Sequence, residues 1–120
     1  MVYQKAFDLQ QQIFSITKNF PKEEMYSLTD QVRRSSRSIS ANICEAWQKR
    51  RYAAHFVSKL TDSDAEQAET QHWIDTALAC EYISQEIQNQ LLTKCREIGK
   101  MLGSMIANPQ KFCKPTRKPE

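Results

Sequence analysis

The stretch QVRRSSRSISANICEAW, residues 31–47, decides how the rest of the chain is read. It holds three arginines within five positions, then a run of small polar residues, and nothing that breaks a helix. Its basic cluster points toward nucleic acid; its Ser, Asn and Glu side chains point toward a catalytic site. A third reading places these polar groups inside the fold, paired with another helix. The apolar residues set the local structure: Leu28, Val32, Ile39, Ile43 and Ala46 recur at helical spacing as one stripe. Ser27, with Asp30 three residues on, is close to a capping box, so a helix is predicted over about residues 27–47.

Upstream, Tyr3, Ala6, Phe7, Ile13, Phe14, Ile16 and Phe20 follow spacings of three and four, predicting a helix over 3–20 that Pro21 ends. Downstream, the polar run QKRRY (48–52) reads as a turn. Phe56, Leu60, Ile74, Ala77 and Leu78 then mark a third helix over about 52–81, with a polar middle at 61–71. Ile87, Leu91, Cys95, Ile98, Leu102 and Ile106 mark a fourth over 84–107, with Ser84 at its start and Asn108-Pro109 as its stop. The chain has only two glycines, and its prolines at 21, 109, 115 and 119 leave residues 22–108 free of proline, which suits long helices rather than sheets. Four helices on short links predict an all-α, antiparallel up-down-up-down four-helix bundle over residues 1–108. The remaining PQKFCKPTRKPE (109–120) is basic and proline-rich and is expected to be disordered.

Charge is unevenly distributed. Residues 1–60 carry ten Lys/Arg and five Asp/Glu, residues 61–90 seven acids and no base, and residues 91–120 seven bases and two acids. On the second helix Gln31, Arg34, Ser38, Asn42 and Glu45 share a face beside the apolar stripe; on the third, Asp62, Glu66, Glu69 and Trp73 do so. A hairpin turning at 49–50 would set Arg37 against Asp62, Arg33 against Glu66, and Asp30 or Gln31 near Glu69. The expectation is an interhelical layer of ion pairs and hydrogen bonds, a structural polar seam. If it is buried, removing one partner costs about 3–5 kcal/mol, and Glu66→Ala is expected to destabilise severely.

Other chemistries are poorly served. The Ser, Asn and Glu residues lack a histidine at usable spacing, since His55 and His72 are far apart. Glu69 and His72 form one ExxH pair, but a di-metal bundle needs two such pairs and two more glutamates, so neither metal nor cofactor is expected. Cys44, Cys80, Cys95 and Cys113 show no metal spacing. With no signal-peptide layout at the N-terminus they read as reduced thiols of a cytoplasmic protein, and no apolar run is long enough for a membrane span. Lys49, Arg50 and Arg51 at the predicted turn, with Lys111, Lys114, Arg117 and Lys118 of the tail, are the candidates for nucleic-acid phosphate contact; a solvated turn and a solubilising tail are the plainer reading.

RRSSRSISANICEAW resembles the signature of the four-helix-bundle proteins named after the 23S rRNA intervening sequence, Q-x-x-R-A-x-x-S-I-P-x-N-I-x-E-G, with Gln31, Arg34, Ser38, Ile39, Asn42, Ile43 and Glu45 matching. FPKEEMYSLTDQ (20–31), ETQHWIDTALACEYI (69–83) and REIGKMLGSMI (96–106) resemble further stretches of that family. Ser35, Ser40 and Ala46 depart from its usual alanine, proline and glycine, which should leave the second helix straighter. The resemblance implies a bacterial homopentamer without known enzymatic activity. Its distant relatives are accessory proteins of diversity-generating retroelements that bind nucleic acid and a reverse transcriptase. The surplus apolar face of the first helix, where Phe7 and Phe14 flank the main line, independently suggests self-association. Together these readings describe a non-enzymatic oligomeric scaffold that binds RNA or DNA, with a protein-protein adaptor as the alternative.

Overall fold

The computed structural model describes residues 1–113. Four helices, α1 (Val2–Thr17), α2 (Leu28–Gln48), α3 (Ala53–Ala79) and α4 (Gln85–Ala107), are joined by short links, with 3-10 turns at Lys22–Glu24 and Pro109–Lys111. Among the described residues there is no strand.

The helix ends show which local signals acted. α1 stops at Thr17 rather than Phe20. The Thr17 hydroxyl turns back to the carbonyls of Ile13 (2.8 Å) and Phe14 (3.0 Å), and the amides of Asn19 and Phe20 tighten onto carbonyls three residues back. Ser27 makes no side-chain cap for α2; instead Glu24 Oε1 accepts from the Leu28 amide at 3.3 Å. Ser84 does cap α4, accepting from Ile87 N at 3.1 Å. α3 ends at Ala79, two residues short of expectation, because Glu81 takes the left-handed conformation (φ 63°). The Tyr82 and Glu81 amides then reach back to Ala77 and Leu78, both at 2.9 Å, as a Schellman motif.

Cross-helix contacts give the relative directions. Thr17 meets Arg33 while Gln10 meets Ser40, so α1 and α2 run oppositely. Thr70 meets Ser35 and Lys59 meets Glu45, which makes α3 antiparallel to α2. Asp75–Gln88 and Gln67–Gly99 do the same for α3 and α4, and Lys5–Glu97 with Gln12–Lys94 for α1 and α4. α1 packs on α2 and α4, and α3 on α2 and α4, so the helices stand in cyclic order around one core. Leu9, Ile13, Ile39, Phe56, Leu60, Ile74, Ile98 and Leu102 fill it, each at most 2% exposed.

The chain stays folded past Ala107. Phe112 stacks on Phe56 with ring centroids 6.0 Å apart, and both Phe112 and Cys113 pack partly against the core. The expected disorder over 109–120 is therefore corrected for residues 109–113, which an aromatic anchor holds; residues 114–120 lie outside the described part.

The α2–α3 interface, the most extensive in the bundle, is lined by small hydroxyl residues. Ser35, Ser63 and Thr70 are fully buried. Ser63 Oγ donates to the Ile39 carbonyl across the interface at 2.8 Å. Thr70 Oγ1 meets Ser35 Oγ at 2.8 Å and also bonds to its own helix at Glu66 O. Small side chains let two backbones approach closely, and their hydroxyls find partners there instead of water.

Candidate nucleic-acid interface

The turn between α2 and α3 gathers cations and aromatic rings. The Arg50 guanidinium lies 3.8 Å from the Trp47 ring centroid, held there by its Nε bond to the Trp47 carbonyl (2.9 Å). Arg51 lies 5.7 Å over Tyr52, whose ring meets His55 edge-on at 5.3 Å. Trp47 and Tyr52 are 40% and 55% exposed, so each keeps ring surface in water beside its arginine. Lys49 caps α2 through its amide and keeps its ammonium outside. Lys111 belongs to the same pole, because Phe112 beside it is anchored on Phe56 near the start of α3. Among the described residues none of these four cations forms an ion pair. Lys114, Arg117 and Lys118 lie outside the described residues. The sequence reading singled out the charges of this pole and missed its rings; the alternation W-x-x-R-R-Y was the available signal.

The polar seam differs from its expected pairing. Arg34, not Arg33, reaches α3: Nη1 donates to Glu66 Oε2 at 3.0 Å and Nη2 bonds to Glu69 Oε2, while Nε donates to Gln31 Oε1 at 3.3 Å. Trp73 Nε1 donates to the same Glu69 oxygen at 3.0 Å. That bond, followed by the Arg34 contacts, holds the Glu69 carboxyl below its ordinary range against the opposing effect of desolvation. Arg33 and Arg37 point to α1 instead. Arg33 Nε donates to Thr17 Oγ1 at 2.8 Å, and both guanidiniums lie over the Phe14 ring. Asp62 stands 4.0 Å from Lys59 on its own helix, and Lys59 also pairs with Glu45 at 3.1 Å. Asn42 bonds to the Ser38 carbonyl within α2. Two causes combine. The turn occupies residues 49–52, which shifts pairs such as Glu45–Lys59 along α3. A rotation of about 100° per residue turns Arg34 toward α3 while Arg33 and Arg37 face α1.

The seam's charges are also not buried, since the Arg34, Glu66 and Glu69 side chains are 43%, 20% and 36% exposed. This corrects the severe cost expected for Glu66→Ala. Water screens the pair, and Arg34 keeps Glu69, so the loss should be about 0.2–1 kcal/mol. Urea denaturation should show a midpoint close to the parent's; a collapse of the fold would mean that the pair acts as a buried one. Glu69, with its lowered carboxyl, adds stability above the unfolded-state carboxylate range, and this is lost as pH falls through its folded value.

A catalytic or metal centre has little to build on. His72 is exposed against Trp73, and among the described residues no group of three potential ligands converges. The interior space lined by Ile13, Phe20, Trp73 and Leu91 measures only about 10 Å³, against roughly 300–1,000 Å³ for small-molecule sites. Burial pushes the Cys95 thiol up to about 12, which leaves it unreactive; Cys44 and Cys80 are exposed and free. No described helix is long and apolar enough to cross a membrane.

Residues 1–104 match the model of the 23S rRNA-intervening sequence protein family. The chain belongs to that family. A crystal structure of a protein of unknown function from the S23 ribosomal protein family of Bacteroides thetaiotaomicron is similar at 31% identity and a TM-score of 0.80, covering 88% of this chain and 95% of that one. No curated protein matches the chain by sequence. In this chain α2 runs unbroken through Ser40 to Gln48, where a proline at position 40 would remove an amide; the Ser40 hydroxyl bonds to Gln10 and to the Arg37 carbonyl.

Proposed function

We propose that this protein is a non-enzymatic, self-associating scaffold of the cytoplasm that takes single-stranded RNA or DNA on its α2–α3 pole. The observation that carries this reading is the pairing of Arg50 and Arg51 with the exposed rings of Trp47 and Tyr52, next to the unpaired Lys49 and Lys111. Cations contact the phosphates and exposed rings stack on bases, which together make a sequence-tolerant single-strand platform. Free exposed thiols at Cys44 and Cys80 suit a reducing compartment. Self-association is supported by the exposed Tyr3–Phe7 stack on α1 (centroids 6.2 Å apart), beside an exposed Met1. The pentamer that family resemblance implies is tested by light scattering, where a mass equal to one chain would refute it.

Fluorescence anisotropy with a labelled single strand across a salt series tests the binding. Affinity should fall steeply with salt, and Lys49→Gln/Arg50→Gln/Arg51→Gln should flatten the log–log slope by roughly 2, since each phosphate contact on a single strand contributes about 0.7. Absence of binding at about 50 mM salt, where phosphate contacts are strongest, would remove the nucleic-acid reading. The adaptor reading would then stand on the Tyr3–Phe7 surface alone.

A further inference from the structure

A second cationic site lies on the α1–α2 flank. Lys18, Arg33 and Arg37 surround one ring, with their charged groups 4.8, 4.7 and 5.6 Å from the Phe14 centroid. Among the described residues none of the three forms an ion pair. Arg33 spends one N–H on Thr17 and keeps its terminal nitrogens unbonded; Arg37 makes no side-chain hydrogen bond among the described residues. Three like charges around one ring repel each other, and an anion placed between them would relieve that repulsion. Arg34, one residue along, is by contrast already neutralised by Glu66 and Glu69.

Arg33 and Arg37 open into a groove of about 530 Å³, which Met25, Tyr26, Asp30 and Ser38 also line. Tyr26 is 95% exposed and Met25 45%, so the chain holds an aromatic ring and a thioether in water at the groove's rim. Asp30 is the carboxylate of the lining and can accept from a hydroxyl or an amino group.

We infer that this groove binds one nucleotide unit, with its phosphate between Arg33 and Arg37, its base against Tyr26 and Met25, and its ribose or amino donors toward Asp30. Two arginines one helical turn apart supply forked donors for phosphate oxygens. The volume suits one nucleotide unit, whether free or within a strand. The site is independent of the α2–α3 pole: it is lined by α2 and by Met25 and Tyr26 just before it, and shares no residue with Lys49–Tyr52.

Calorimetric or NMR titration of the full chain with adenosine monophosphate, inorganic phosphate and a short single-stranded oligonucleotide tests this. The monophosphate should bind at least tenfold tighter than phosphate, with shifts confined to residues around Tyr26 and Arg37. Arg37→Gln, which removes no hydrogen bond of the fold, should weaken it at least tenfold, and Tyr26→Ala should bring it down to the level of phosphate. Lys49→Gln/Arg50→Gln/Arg51→Gln should leave monophosphate binding unchanged while weakening the oligonucleotide, which separates this site from the pole. Equal binding of phosphate and monophosphate, or indifference to Arg37→Gln, would overturn the assignment. So would a monophosphate response that disappears with the pole variant. An oligonucleotide that binds tighter than the monophosphate and still depends on Arg37 and Tyr26 would support the site as one that takes its nucleotide within a strand.

Discussion

Phe56→Ala is expected to lower stability by about 3–5 kcal/mol, the largest effect of any single substitution considered for this chain. Phe56 is the largest fully buried side chain, at 0% exposure in the first turn of α3. Two groups rest on it. The core residues of neighbouring helices pack around its ring, and Phe112 stacks on it from outside the helices. Truncation leaves a cavity that close-packed helices cannot collapse to fill, and it removes the anchor of the 109–113 segment. For a chain of this size the loss corresponds to roughly 10–25 °C in melting temperature. Phe112→Ala, half-buried at the rim, should cost less, and the double variant should cost less than the two singles added, because the rings touch. Melts at one fixed protein concentration keep self-association from confounding the comparison. A Phe56→Ala protein within about 1 kcal/mol of the parent would mean that the ring is not a core element.

The same ring marks where sequence reading reached its limit. Helical periodicity located all four helices because apolar residues recur at spacings of three and four, as an unbroken stripe in α4 (Ile87, Leu91, Cys95, Ile98 and Leu102) and at the two ends of α3, whose middle is polar. It could not show that Phe112 returns to the core, since a lone phenylalanine among prolines and lysines carries no period. Helix ends depended on side chains whose local options compete. Thr17 and Glu81 ended α1 and α3 early through hydroxyl back-bonding and a left-handed residue, neither of which sequence spacing encodes. In the candidate sites, charge was legible and geometry was not. Arg33, Arg34 and Arg37 read as one cluster, yet a rotation of about 100° per residue sends Arg34 to α3 and the other two to Phe14. The expected charge layer is half-exposed, and the buried polar layer between α2 and α3 is made of hydroxyls, among them Ser35, Ser63 and Thr70.

Those hydroxyls give the second large effect. Ser63→Leu should cost about 2–4 kcal/mol, combining overpacking of about 1–3 kcal/mol with one lost hydrogen bond of about 1 kcal/mol. Ser63 is fully buried, and its Oγ sits 2.8 Å from the Ile39 carbonyl on the facing helix, so no space exists there for a branched side chain. Relief requires α2 and α3 to separate, which would also draw Arg34 away from Glu66 and Glu69. Ser63→Ala isolates the hydrogen bond: it removes the donor without adding volume, and should cost only about 1 kcal/mol. Two measurements divide the contributions. Urea midpoints give the stability ladder from parent to alanine to leucine. The Glu69 carboxyl, followed by NMR through acid titration, should stay below its ordinary range in Ser63→Ala and rise toward it in Ser63→Leu, because its Arg34 partner withdraws while the Trp73 bond remains. Equal stability of the alanine and leucine variants would show that the interface tolerates a large side chain, and that close approach of α2 and α3 is not what the buried hydroxyls provide.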